Sequence, residues 1–241
     1  MVDWSALTES RISALANTKS NLDGFAITWP NVLWCAEQFW QAQLSGDAGR
    51  RKETWHHLVM AAGNFKRQGG SQIRLLRAVR PGHVWPNESK RPTSCTVPTL
   101  TGDVRVDLGD PVTWRLLTEN KRSVRGLGVP TATTLLSALW PGAHVIIDVR
   151  DLTATVGLNL DEVVGNRWVR QLQDPVRVRA SWGWYEWLQP KVIAKAHNVE
   201  PVAVERSLYE LDARVKRPAK PEKLTWAQYV KAVDAILLAI P

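Results

Sequence analysis

Two features of this chain combine residue types and spacing that could do chemistry together. One is the run Val124-Arg125-Gly126-Leu127-Gly128-Val129-Pro130-Thr131-Ala132, and the other is the carboxylate of Asp148. Glycines two apart let a tight turn take positive φ and let a ligand come close to the backbone. A helix opening straight after such a turn presents unpaired N–H groups and the positive end of its dipole, which can hold a phosphate. Lys121, Arg122 and Arg125 flank the turn. Contacts of this kind supply affinity for nucleic acid without reading its sequence. Asp148 follows the apolar run Val145-Ile146-Ile147 and precedes a new helical segment, with Arg150 two residues on. A carboxylate fixed near a sugar stabilises the positive charge that builds as an N-glycosidic bond breaks, and it can orient or deprotonate the attacking water. An Asp before a helix is equally a plain N-cap, and one side chain can serve both purposes.

Helices must position these groups, and apolar periodicity is helical through most of the chain. Leu33, Ala36, Trp40 and Leu44 share one face near 31–44, and Trp55, Leu58, Val59, Ala62 and Phe65 share one near 53–67. Ile73, Leu76 and Val79 line a shorter helix. From Pro81 to Asp103, the prolines at 81, 86, 92 and 98 and the lack of any period predict a long surface loop. Asp110-Pro111 starts a helix reaching about Arg122, the first arm of the hairpin. Pro130 starts the second arm, and Trp140-Pro141-Gly142 stops it. Asp148 caps a helix running to about Gly157. Tyr185 to His197 and Pro201 to Val215 read as a helical pair, the second with a stripe of Val204, Leu208, Leu211 and Val215. Thr225-Trp226-Ala227-Gln228 fits a capping box ahead of a helix that buries Trp226, Val230, Val233, Leu237 and Ile240. The alternation of Val104, Val106 and Leu108 predicts one short strand. The fold class is therefore all-α. Residues 1–103 form an N-terminal helical region ending in the Pro-rich loop, and residues 104–241 carry the hairpin and the C-terminal helices.

Composition narrows the function classes. The chain has 241 residues, 44% of them hydrophobic, and a net charge of +8. The positive balance favours a polyanionic partner. No apolar stretch is long enough to span a bilayer. The start Met1-Val2-Asp3-Trp4-Ser5 lacks the pattern of a signal peptide, so a cytoplasmic, nucleoid-associated monomer is expected. Cys35 and Cys95 are too few for a four-cysteine iron–sulfur cluster and too far apart for a zinc site, and they read as reduced structural thiols. The 13 tryptophans could stack bases, but most fall on apolar helical faces and read as core. The cluster from Ser181 to Trp187 suits either a stacking platform or helix packing. His56 and His57, beside Glu53, point to different faces of a helix and do not form a metal pair.

The hairpin and the acid together resemble the helix-hairpin-helix DNA glycosylases, the superfamily of endonuclease III, the adenine glycosylase and the 8-oxoguanine glycosylases. Its pattern is roughly Leu-Pro-Gly-Val-Gly, then a helix, then Asp in a Val-Asp-x-His setting. Val124, Gly126, Leu127 and Gly128 match the hairpin, Ala132 the small residue of the second helix, and Asp148 the catalytic Asp. The match covers about residues 111–158, and Pro201 to Asp212 looks like the last helix of 8-oxoguanine-glycosylase-like bacterial proteins. The resemblance implies two helical lobes that grip double-stranded DNA through the hairpin and hydrolyse the bond to an extruded damaged or modified base with Asp148. Arg150 stands where the family has His and can contact a phosphate. Bifunctional members place a Lys two residues after the second Gly. Pro130 occupies that position and removes the amine nucleophile, so the implied enzyme is monofunctional. The resemblance also implies a structural monovalent cation at the hairpin and no other cofactor. Two alternatives remain open. One is a non-catalytic helix-hairpin-helix DNA-binding protein of genome maintenance or phage defence, and the other is a helical protein that meets an acidic protein partner.

Overall fold

A computed structural model describes residues 3–67, 91–119, 127–164, 178–219 and 223–241, with backbone alone at 19–27, 67 and 164. In chain order the elements are α1 (Glu9–Ala16), α2 (Lys19–Ser45), α3 (Ala48–Arg67), β1 (Ser94–Thr99), β2 (Gly102–Asp107), α4 (Pro111–Arg115), α5 (Val129–Leu139), α6 (Val149–Leu158), α7 (Leu160–Val164), α8 (Trp182–Lys195), α9 (Pro201–Arg214) and α10 (Trp226–Leu238). The described chain is mostly helical with one two-stranded sheet, in keeping with the all-α class. It forms two compact units, residues 22–146 and residues 1–21 with 147–241. The helix expected around Ile73 lies outside the described residues.

The unit of residues 22–146 is built on α2 and α3, separated where Gly46 takes φ +73° and the Asp47 carboxylate accepts from Arg50 N at 3.0 Å. Phe39 and Trp55 from these helices pack at 5.2 Å between ring centroids, and Trp40 meets Trp140 beyond the end of α5 at 5.7 Å. β1 and β2 pair antiparallel with Val97 opposite Val104, so the stretch read as a loop to Asp103 contains a strand, and the boundary placed after Asp103 falls inside β2. The prolines hid it. Pro98 sits on the outer edge of a hairpin, where its missing N–H breaks no ladder bond. That edge is also covered, because the Gln43 side-chain amide takes both the N–H and the C=O of Thr96. The helix capped by Asp110 is shorter than its periodicity suggests. α4 tightens into a 3-10 turn at Leu116–Thr118, and Glu119 is extended.

His144 is a buried titratable group of this unit. It is 1% exposed, its ring stands edge-on to Trp114 at 4.5 Å, and its Nε2–H donates to Leu108 O at 3.2 Å. Burial pulls the imidazole down to about 4, with the Leu108 carbonyl opposing. In the unfolded chain the ring takes a proton below about 6.5, while the folded ring stays neutral until about 4. Stability from this group is thus full above pH 6.5 and falls as pH drops toward 4, by about 3 kcal/mol. Urea unfolding at pH 7 and pH 4.5 should show this loss, and His144→Leu should flatten it. An unchanged slope in the variant would remove His144 as its source.

In the other unit, α9 is the central helix and packs against α1, α6, α8 and α10. The Val204, Leu208 and Leu211 stripe is fully buried, as its spacing predicts. Arg206 reaches from α9 to the Ala16 carbonyl at the end of α1. α10 opens with the expected capping box, Thr225 with Gln228, but Trp226 is half-buried and Tyr229 occupies the core instead. A Cβ added to Gly157 in α6 would lie 2.6 Å from Tyr229 Cε1 and 2.9 Å from its Cδ1. Alanine is about 1 kcal/mol better than glycine inside a helix. The clash should win, because a fully buried ring cannot step aside, and overpacking costs about 1–3 kcal/mol. Gly157→Ala should therefore lower the urea midpoint. A rise would mean that helix propensity decides this position.

Candidate functional site at the start of α6

Asp148 is the N-cap of α6. Its extended backbone follows the buried Val145, Ile146 and Ile147, and its Oδ1 accepts from Arg150 N at 3.0 Å. Three residues on, Asp151 Oδ2 accepts from Asp148 N at 3.1 Å, which completes a capping box. Asp148 at the cap and Asp151 in the first turn face the positive end of the helix dipole, a favourable place for negative charge. The sequence folds this way locally because both partners of the box lie within four residues.

Tertiary packing adds a side chain that sequence reasoning missed. Tyr209 of α9 lies beside the same helix end, with the Arg150 guanidinium 4.9 Å from its ring centroid. Such a cation over an aromatic face contributes about 0.5–2 kcal/mol and holds the guanidinium in one place. Burial raises the Tyr209 phenol, Arg150 opposes, and Asp148, Asp151 and Glu210 push in the same direction as burial. The phenol thus stays protonated at neutral pH. Asp148, half-buried, therefore sits among a fixed cation, a phenol and a second carboxylate. Glu205, Glu210 and Asp212 of α9 are buried too, an arrangement that an apolar stripe does not reveal.

Of the hairpin residues, Lys121, Arg122, Val124, Arg125 and Gly126 lie outside the described residues. Gly128 caps α5 with φ −87° and ψ 166°, an ordinary extended conformation rather than the positive φ expected of it. A Cβ there would touch only Pro130 Cδ at 3.7 Å. Glycine at this position therefore leaves open space before the helix, and its carbonyl accepts from Thr131 N and Ala132 N. Pro130 sits in the first turn, where a missing N–H costs nothing.

The tryptophan cluster packs rather than stacking flat. Tyr185 is fully buried, and Trp184 and Trp187 meet edge-on at 5.4 Å. Trp187 Nε1 and Lys191 Nζ both donate to Glu162, and the Lys191 bond is the main cause holding that carboxyl below its usual range. Both thiols are buried, and burial pushes Cys35 up to about 11 and Cys95 higher still. His56 and His57 are exposed on α3. Among the described residues no group of three His, Cys, Asp or Glu could hold a metal, and no helix is long and apolar enough to cross a membrane. Compared with family models, curated proteins and solved structures, the chain matches none of them.

Proposed function

We propose that this protein binds duplex DNA and releases a damaged or modified base from it as a monofunctional glycosylase. The observation that carries the reading is the start of α6, where a half-buried carboxylate and an arginine laid on Tyr209 occupy one helix end. In this reading Arg150 meets a phosphate beside the extruded nucleotide. Asp148 stabilises the oxocarbenium-like sugar as the N-glycosidic bond breaks and its electron pair leaves with the base. Water then bonds to the sugar carbon and gives its proton to Asp148, and the departing base takes a proton from solvent. The product is an abasic site with the strand intact, because Pro130 provides no amine for a Schiff base.

The capping box supports a second reading, a non-catalytic DNA-binding protein, because it accounts for Asp148 by itself. Both readings are tested by duplex oligonucleotides carrying a panel of modified bases, with abasic sites developed by alkali. Release by wild type and not by Asp148→Asn supports the enzyme. Salt-dependent binding by both proteins without release from any substrate supports the second reading.

A further inference from the structure

Three carboxylates act on the Tyr209 ring that carries Arg150: Asp148, Asp151 and Glu210. Among the described residues the Arg150 guanidinium pairs with none of them, and each is engaged elsewhere. Asp148 Oδ1 accepts from Arg150 N, Asp151 Oδ2 from Asp148 N, and Glu210 Oε1 from Arg214 Nε at 2.9 Å. The guanidinium lies instead on the Tyr209 ring, 4.9 Å from its centroid. A cation held by an aromatic face keeps its N–H donors for an oxyanion. The fold places the ring there. Leu208 and Leu211 are fully buried and fix the register of α9, so Tyr209 stands half-buried beside the start of α6.

We propose that Tyr209 is a positioning residue for a DNA phosphate: its ring holds the Arg150 guanidinium beside Asp148, leaving the N–H fork for two phosphate oxygens. The proposal rests on the DNA-binding part of the reading above and not on base release. A free arginine side chain loses rotamer freedom when a ligand fixes it, and a ring that fixes it beforehand removes that cost from binding. A guanidinium offers the bidentate geometry a phosphate accepts, and an ammonium does not. The Tyr209 hydroxyl plays no part, so phenylalanine should replace tyrosine there.

The test measures the affinity of the full chain for an unmodified duplex oligonucleotide over a range of salt concentrations. Arg150→Gln should lower the slope of log affinity against log salt by about one. Tyr209→Leu should weaken binding by about twofold to thirtyfold, the range for a cation on an aromatic face, and Tyr209→Phe should bind like wild type. In an Arg150→Gln background Tyr209→Leu should weaken binding no further, because the ring acts through Arg150. Arg150→Lys leaves α9 untouched and keeps the charge, so the slope should hold while affinity falls about tenfold. In the free nitrogen-15-labelled protein, the Arg150 Nε–Hε cross-peak is identified by its loss in Arg150→Gln. It should move in Tyr209→Leu and stay in Tyr209→Phe. Wild type without salt-dependent binding overturns the proposal together with the DNA reading. The proposal alone is overturned if wild type binds and Tyr209→Leu binds as tightly, if Tyr209→Leu weakens binding equally without Arg150, or if Arg150→Lys binds like wild type.

Discussion

In the proposed glycosylase reaction, Asp148→Asn is expected to lower base release by at least about 10²–10³-fold, the usual effect of removing one preorganised electrostatic group from a transition state. The substitution keeps size and shape, and Asn is as good an N-cap as Asp, so the α6 capping box should survive. Thermal stability should therefore change by only a few tenths of a kcal/mol. DNA affinity should stay the same or rise slightly, because a negative charge is removed close to a polyanion. Asp148→Ala separates the two roles. It removes the cap as well and should cost about 1 kcal/mol of stability in addition to the lost activity. Single-turnover base release with a melting curve for each variant reads both effects. Equal release by wild type and Asp148→Asn would leave Asp148 as a cap alone.

Asp212→Ala should destabilise the unit that holds α6 by about 3 kcal/mol or more. The residue is fully buried, and its carboxylate accepts from Arg217 Nη2 at 2.8 Å and from the Tyr229 hydroxyl at 3.0 Å. Removing one member of a buried pair leaves the others desolvated and unmatched, which typically costs about 3–5 kcal/mol. Arg217 is one-third exposed and can turn to water, so the lower end applies. The Tyr229 hydroxyl cannot do so, because its ring is buried against Gly157. Tyr229→Phe, which removes only the hydroxyl, should cost about 1 kcal/mol. Because both residues share one network, the double variant should cost less than the sum of the two. Urea unfolding of the four proteins measures this coupling, and strictly additive losses would rule out the network as a unit.

The local features of the chain were legible without any structure. The caps at Asp110, Asp148 and Thr225, the stop at Gly142 and the stripe of α9 were all read from residues within a few positions of one another. Their geometry depends on bonds that span four residues or fewer. β1 was missed because Pro98 argues against a strand in general, and only its place at a covered edge makes it harmless. Trp226 was expected in the core and Tyr229 was not, since a period of 3.6 does not decide between neighbours on one face. In the fold the Tyr229 ring lies against Gly157 and is fully buried.

The acid at position 148 and its helix could thus be identified from sequence alone, because an N-cap and its partners are contiguous. The surroundings of that acid could not. Arg150 and Tyr209 lie 59 positions apart. The Asp212, Arg217 and Tyr229 network and the neutral His144 among tryptophan rings likewise join elements that only the fold brings together. Burial turns these polar side chains from solvated surface into matched groups. Because burial depends on what packs above each residue, tertiary structure alone decided them.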